Sequence, residues 1–116
     1  MTASPHASAF SRVCALADLD EDAPLRVELD GTPVCLVRTE GEVFAVSDTC
    51  SHANVSLSEG EVDDCRIECW LHGSTFDLRT GKPSGLPATR PIPVYTVKIE
   101  GDGPDAAVLV SLTQES

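Results

Sequence analysis

The sequence predicts an all-β fold in a single domain. Apolar and polar residues alternate with a period of two in several short segments, and eight glycines and eight prolines are spread along the 116 residues. Alternation with this period is typical of strands that bury one face, and frequent Gly and Pro residues favour turns over long helices. A chain of this length builds one hydrophobic core more readily than two. We therefore expect one sheet-rich body over roughly residues 13–112.

Three strands are predicted in the first half of the chain. Residues 25–29 alternate strictly, with leucine and valine on one face and charged residues on the other. The Asp30-Gly31 dipeptide tolerates the positive φ angles of a tight turn, so residues 34–37 are expected to return as a second strand. Glu40-Gly41 predicts another turn, after which residues 43–46 form a third strand. The resulting meander ends shortly before the first candidate metal ligand.

Strand signals return near the C-terminus. Residues 95–100 alternate between apolar and polar, and residues 107–112 form a closing strand beyond a turn at 101–104. The best candidate for a helix is a short turn at residues 15–19. The stretch between the two groups of strands, about residues 50–89, is predicted to be an insertion that carries the functional residues.

An excess of acidic residues gives a net charge of -11 at pH 7 and an isoelectric point near 4.4. This charge repels nucleic acid and anionic membranes, and it attracts a basic patch on another protein. The alternative is that acidity only keeps the protein in solution. We expect a protein partner and neither a nucleic-acid nor a membrane partner.

The sequence has none of the signals that direct a chain into or across a membrane. No apolar run approaches the roughly 18 residues that a membrane span requires. Residues 1–11 lack the basic and apolar segments of a signal peptide. These features predict a cytoplasmic protein, with residues 1–10 as a flexible N-terminal tail.

The five cysteines are an odd number and are spaced too irregularly for a disulfide framework. Cys14 and Cys35 fall on strand-like segments and are predicted to act as small buried apolar residues. Cys65 lies outside the metal-binding pattern described next, and it is predicted to be a free thiol.

Two short motifs give the strongest functional signal. Cys50 and His52 form a C-x-H motif. After sixteen intervening residues, Cys69 and His72 form a C-x-x-H motif. Two thiolates with two imidazoles, in which His replaces Cys on one iron, are the ligand set of a Rieske [2Fe-2S] centre. A structural zinc site is the alternative, because zinc binds the same residue types, although zinc motifs usually begin C-x-x-C or similar.

With these motifs and their flanks, the sequence resembles the Rieske ferredoxin family over nearly the whole chain. The matching flanks are residues 57–60, 72–73, 76–77, 80–81 and 86–89. The resemblance implies a Rieske fold, in which an antiparallel β-sandwich or barrel-like base carries a small inserted cluster-binding subdomain. In this sequence the domain would span residues 11–113 and the subdomain about 48–90.

The resemblance also assigns roles to the four ligands of a single [2Fe-2S] cluster. Cys50 and Cys69 would bind the buried iron, and His52 and His72 would bind the outer iron near the surface. Electrons would then enter and leave past the two imidazoles.

Two positions near the ligands are expected to tune the cluster. Ser74 matches a position where high-potential Rieske proteins direct a serine hydroxyl at a bridging sulfide, whereas Phe76 replaces a tyrosine that donates a hydrogen bond in those proteins. Because hydrogen bonds to the sulfurs stabilise the reduced state, we expect a potential in the lower part of the Rieske range of about -150 to +300 mV. The alternative for Ser74 is that it merely faces water.

Three further residues match positions that surround the cluster in the family. Leu86 and Pro87 resemble the loop that covers the cluster, where proline restricts φ, and the alternative is an ordinary surface turn. Trp70 replaces a residue that is often proline in relatives. It is expected to shield the cluster, to form part of a docking surface, or simply to pack.

The resemblance implies an electron carrier and not an enzyme. Such ferredoxins take single electrons from an NAD(P)H-dependent flavin reductase and pass them to a terminal oxygenase, in transient complexes that are steered by charge. Val55 and Leu71 stand where membrane-bound respiratory relatives carry a disulfide, so this chain agrees better with the branch that serves oxygenases. We expect a monomer. The alternative function is redox support for iron-sulfur cluster assembly or another housekeeping partner.

An oxygenase acting alone is excluded by the histidine count. That activity needs a mononuclear iron held by two histidines and a carboxylate, and His6 is the one histidine outside the cluster motifs.

Overall fold

The computed structural model describes residues 10–49, 55–71, 73–84 and 90–114, which form ten β-strands in two antiparallel sheets. Within these ranges the helical segments are three single turns of 3₁₀ helix, at Leu16–Asp18, Leu57–Glu59 and Gly103–Asp105. The strands are β1 (Ser11–Ala15), β2 (Leu25–Leu29), β3 (Thr32–Thr39), β4 (Glu42–Ser47), β5 (Glu61–Asp63), β6 (Arg66–Glu68), β7 (Thr75–Asp77), β8 (Pro83–Ser84), β9 (Val94–Glu100) and β10 (Ala107–Gln114). The predicted all-β class is confirmed.

The larger sheet has six strands in the order β1-β10-β9-β4-β3-β2, and its edge strands β1 and β2 approach each other. It is therefore a nearly closed barrel. All six strands contribute apolar side chains to one core, which we call the barrel core. The buried members of the barrel core are Cys14, Leu19, Val34, Leu36, Ala45, Tyr95, Val108 and Val110.

Strand β3 separates the barrel core from a second core. Val34 and Leu36 belong to the barrel core, whereas Cys35 and Val37 belong to the second core on the other face of the sheet. All four side chains are fully buried. This burial on both faces explains why residues 34–37 are a continuous apolar run instead of an alternating one.

The smaller sheet, in the order β5-β6-β7-β8, lies within the segment that joins β4 to β9. Val62, Ile67 and Phe76 are paired across its strands and share one face. Ile67 and Phe76 are fully buried in the second core, together with Cys35 and Val37 of the barrel. We call this second core the shared core, because both sheets contribute to it.

The predicted strands are all present, and most extend one or two residues further at their ends. The short turn predicted near residues 15–19 is the 3₁₀ helix at Leu16–Asp18. The predicted burial of Cys14 and Cys35 is confirmed. The sequence indicates strand β1 only as the strand-like segment around Cys14, without bounds, because an irregular register between Arg12 and Cys14 interrupts its alternation.

The N-terminal side of the barrel begins at Phe10, which is partly buried and lies 5.8 Å from the ammonium group of Lys98, measured to the ring centroid. The rest of the predicted tail, residues 1–9, lies outside the described residues. The predicted domain bounds of 11–113 and 48–90 stay predictions. In the described part of the chain, no helix is long and apolar enough to cross a membrane.

Candidate metal centre

The first ligand motif follows strand β4 on a loop whose two ends are held together. Thr49 forms an isolated β-bridge with Ser56. One residue further from the loop on each side, the N–H of Leu57 donates to the carbonyl oxygen of Asp48 at 2.6 Å. The loop that carries Cys50 is therefore closed at its neck by backbone hydrogen bonds.

Asp48 strengthens this neck with its side chain. It is 1% exposed, and its Oδ1 accepts a hydrogen bond from the N–H of Ser58 at 2.8 Å. Its Oδ2 lies 3.2 Å from Nε of Arg26 on strand β2. A buried carboxylate is costly unless it is paired and hydrogen-bonded, and here both partners are present. Sequence reasoning missed this role, because a single Asp in a turn carries no periodic signal.

The second ligand motif lies on the tight connection between β6 and β7. The N–H of Cys69 donates to the carbonyl oxygen of Ser74 at 2.7 Å, and the N–H of Gly73 donates to the carbonyl oxygen of Cys69 at 2.9 Å. Gly73 adopts φ +79°, a left-handed conformation that favours glycine. These contacts hold Gly73 and Ser74 close to Cys69.

The one predicted ligand within the described ranges has the environment that an iron-sulfur ligand needs. Cys69 is 1% exposed and lies in the shared core. A thiolate is a soft donor that suits iron-sulfur clusters, and a protected position limits competing oxidation. Cys69 therefore fits the cluster. Within the described residues, no group of three or more His, Cys, Asp or Glu side chains is placed to hold a metal ion.

The other predicted site residues lie outside the described residues, so their roles stay predictions. They are Cys50, His52, His72, Leu86 and Pro87.

Ser74 and Phe76 lie on the buried side of the small sheet. Ser74 is 1% exposed, so the alternative that it merely faces water is wrong. Phe76 is fully buried and offers no hydroxyl. The effect of Ser74 on the potential stays a prediction.

Two glycines allow close approaches that position the ligand loops. A Cβ atom on Gly60 would clash with the carbonyl oxygen of Glu68, the residue before Cys69. The exit of the first loop is therefore packed directly against the strand that leads to the second. Likewise, a Cβ atom on Gly81 would clash with the carbonyl oxygen of Ile92, where the inserted segment returns to the barrel.

The second ligand loop exposes its two intervening residues. Trp70 is 51% exposed and Leu71 is 42% exposed, so Trp70 is not a packed core residue. Val55, the other position that corresponds to a disulfide in respiratory relatives, is partly buried against the shared core.

Arg79 connects the small sheet to the barrel, and the sequence offered no signal for this role. Its Nη1 donates to Sγ of Cys65 at 2.7 Å, and its Nη2 lies 3.2 Å from Glu42 and 3.5 Å from Glu40. The guanidinium also lies 5.3 Å from the ring centroid of Phe44. Cys65 is a free thiol, as predicted, and burial raises its pKa although the charge of Arg79 opposes the shift.

A protein-family model described as the Rieske [2Fe-2S] domain matches residues 9–96. The chain belongs to the Rieske [2Fe-2S] family. A relative from Rhodococcus jostii (strain RHA1), named "Biphenyl 2,3-dioxygenase, ferredoxin component", is 44% identical over 94 residues, which cover 81% of this chain and 88% of that protein. The match thus spans most of both proteins.

Solved structures of Rieske ferredoxins superpose on the chain over nearly its full length. The ferredoxin of carbazole 1,9a-dioxygenase from Nocardioides aromaticivorans IC177 gives a TM-score of 0.81 at 38% identity, covering 90% of this chain and 98% of that one. A chain in a complex of reduced oxygenase and oxidized ferredoxin in carbazole 1,9a-dioxygenase gives a TM-score of 0.83 at 33% identity, covering 92% and 96%. The predicted Rieske fold is confirmed.

Family membership decides the cofactor and the class of protein. The chain is a Rieske ferredoxin with a [2Fe-2S] cluster, and the zinc alternative is set aside. Its relatives are named as ferredoxin components, which are electron carriers rather than catalysts.

Proposed function

We propose that this Rieske ferredoxin carries single electrons from an NAD(P)H-dependent flavin reductase to the terminal oxygenase of a ring-hydroxylating dioxygenase system. The observation that carries the proposal is the match to 88% of a biphenyl dioxygenase ferredoxin component, which is a match to a whole carrier. The solved complex of oxygenase and ferredoxin in carbazole 1,9a-dioxygenase supports the oxygenase end of this path. The reductase end rests on the family resemblance.

In this proposal Cys50, His52, Cys69 and His72 hold the cluster. When bound, the cluster supplies reversible one-electron transfer, and neutral imidazoles in place of two thiolates raise its potential. Cys69 supplies a buried thiolate, and its backbone is hydrogen-bonded to Gly73 and Ser74.

The remaining residues of the site hold the two loops in place and exclude water. Asp48 closes the neck of the first loop, and Gly60 lets that loop pack against the strand before Cys69. Phe76 supplies an apolar wall in the shared core. Leu86 and Pro87 would cover the cluster.

A role in iron-sulfur cluster assembly is not favoured by the known relatives. The similar proteins reported above belong to dioxygenase systems that act on aromatic compounds. We also propose that the carrier is a cytoplasmic monomer, which sedimentation velocity and cell fractionation would test.

The first experiment asks whether the predicted ligands hold the cluster. The protein is purified anaerobically and assayed for iron, acid-labile sulfide and a rhombic EPR signal after reduction with dithionite. Cys69→Ser should lose the cluster, whereas Cys65→Ser, only four residues away, should keep it. Ser74→Ala should keep the cluster and lower its potential. A colourless zinc-containing product would contradict the proposal.

The second experiment tests the electron path. The ferredoxin is added to a purified flavin reductase and a terminal oxygenase of a biphenyl-type system, and NADH consumption is measured with and without it. Product formation should depend on the ferredoxin and should be lost with Cys69→Ser. Turnover that is equally fast without the ferredoxin would contradict the proposed role.

A further inference from the structure

A row of carboxylates lies on the face of the small sheet that points away from the shared core. Because side chains alternate along a strand, Glu61 and Glu68 lie on the face opposite to Val62 and Ile67. Glu61 is directly paired with Glu68 across the two strands, and both side chains are exposed. Like charges that face each other in this way destabilise a sheet, so they have to be offset elsewhere in the protein.

A basic side chain lies on this face at one end, the β5–β6 turn. At the β5–β6 turn, Arg66 is paired across the sheet with Asp63 and Asp77, and its Nη1 lies 3.6 Å from Asp64. In the described ranges no basic side chain forms an ion pair with Glu59, Glu61 or Glu68. In the described residues, the carboxylates at the end of the sheet that leads to Cys69 therefore have no basic ion-pair partner.

An exposed aromatic residue borders the same carboxylates. Trp70 lines a shallow depression together with Glu59, Gly60, Glu61 and Glu68. Half of its side chain is accessible to solvent, and tryptophan is strongly enriched among the residues that dominate binding energy at protein interfaces. We call Glu59, Glu61, Glu68 and Trp70 the acidic face.

The acidic face is adjacent to the second ligand loop. Glu68 directly precedes Cys69, and its Oε2 lies 3.5 Å from the point where a Cβ atom of Gly73 would stand. Gly73 follows the predicted ligand His72. A protein that binds here would therefore contact the chain beside the cluster loop.

We propose that the acidic face is the docking surface for a redox partner that presents lysine or arginine residues around an apolar centre. The carboxylates steer the basic partner and fix its orientation, and Trp70 supplies the apolar contact at the middle of the interface. This proposal rests on the proposed function, because it requires the chain to exchange electrons with another protein.

The experiment compares two variants that lose the same charge at opposite ends of the molecule. Glu61→Gln with Glu68→Gln removes two carboxylates from the acidic face. Asp102→Asn with Asp105→Asn removes two exposed carboxylates from the β9–β10 connection, at the far end of strand β9 from the inserted segment. Both double variants have the same net charge, so a difference between them reports the location of docking.

Cytochrome c, a basic haem protein, serves as the probe. The ferredoxin is reduced and mixed with it in a stopped-flow instrument at a series of ionic strengths. The Glu61/Glu68 variant should react about fivefold more slowly than the Asp102/Asp105 variant at low salt, and the gap should close at high salt as screening increases. Equal rates for the two variants at low salt would overturn the docking proposal.

A second pair of variants tests the apolar contact. Trp70→Ala should slow the reaction at every ionic strength, whereas Ile99→Ala, which truncates an exposed apolar residue on β9, should not. Equal rates for this pair would remove Trp70 from the interface. Each variant is first checked for an unchanged visible spectrum.

The design separates the two proposals. A parent protein that holds no reducible cluster overturns the proposed function and the docking surface together. A parent protein that reduces cytochrome c, with both pairs of variants behaving alike, overturns the docking surface only.

Discussion

The two sheets of this ferredoxin are built on different principles. The barrel strands are five to eight residues long, and all of them contribute to one core. The strands of the small sheet are two or three residues long, and their inner face packs against residues of barrel strand β3. The barrel therefore has a core of its own besides the shared core, whereas the small sheet has the shared core alone.

The largest change in stability is expected when one large side chain is removed from each core in turn. Phe76→Ala leaves a cavity in the shared core and should destabilise the protein by about 3–5 kcal/mol. Leu36→Ala leaves a cavity in the barrel core and should destabilise it by about 2–5 kcal/mol. We expect Phe76→Ala also to lower the iron content, because the adjacent loop loses its support. Leu36→Ala should fold with a full cluster.

Urea unfolding and iron analysis on the same samples measure both effects. A Leu36→Ala protein that lost its iron while Phe76→Ala retained it would contradict the division between the two cores.

The next test addresses the close approach of the two ligand loops. Gly60→Ala places a methyl group against the carbonyl oxygen of Glu68 and should cost about 1–3 kcal/mol, as overpacking does. The resulting shift should broaden or move the EPR signal, because Cys69 follows Glu68. Gly31→Ala is the control, since it meets no atom within 4 Å in spite of its positive φ. An altered signal in Gly31→Ala but not in Gly60→Ala would refute this explanation.

A pH series tests the burial of Cys35 in the shared core. Burial raises the pKa of the Cys35 thiol, so the folded state keeps a proton that the unfolded state releases. The contribution of the protonated thiol to the free energy of unfolding is complete below the pKa of the unfolded state. It declines by about 1.4 kcal/mol per pH unit above about pH 8.5. Between pH 8 and pH 10, the free energy of unfolding of Cys35→Val should therefore fall less steeply than that of the parent protein. Parallel curves for parent and variant would show that Cys35 makes no such contribution.

The smallest effect is expected from the link between the sheets at Arg79. Its contacts are largely exposed, so Arg79→Gln should change global stability little. The reaction of the Cys65 thiol with a thiol reagent should nevertheless shift to higher pH, because the guanidinium charge that opposes the raised pKa of this thiol is lost. Glu28→Gln, at an exposed ion pair on the barrel, is the control. An unchanged pH dependence of labelling would show that the Arg79 charge does not act on the Cys65 thiol.

The difference in strand length between the two sheets explains which strands the sequence could predict. Alternation and turn dipeptides identify the barrel strands because each is long enough for its pattern to repeat, as in Leu25–Leu29. A three-residue strand such as Glu61–Asp63 has no repeat to detect, so the small sheet was missed. The ligand motifs were readable because metal chemistry fixes both residue type and spacing.

The supporting contacts of the site could not be predicted in the same way. Asp48, Gly60 and Arg79 act through partners that are 8 to 39 positions away in the sequence. Such contacts follow from the arrangement of the two sheets, and no local sequence pattern indicates them.

The pairing of β4 with β9 has a consequence for how the protein is assembled. Val46 and Val94 are direct neighbours in the barrel, although the whole small sheet lies between them in the chain. Topologically, the electron-carrying segment is an enlarged hairpin loop, and the barrel would remain connected if a short turn replaced it. The direct pairing of β4 with β9 therefore sets the register of the barrel at this point, whatever the length of chain between the two strands.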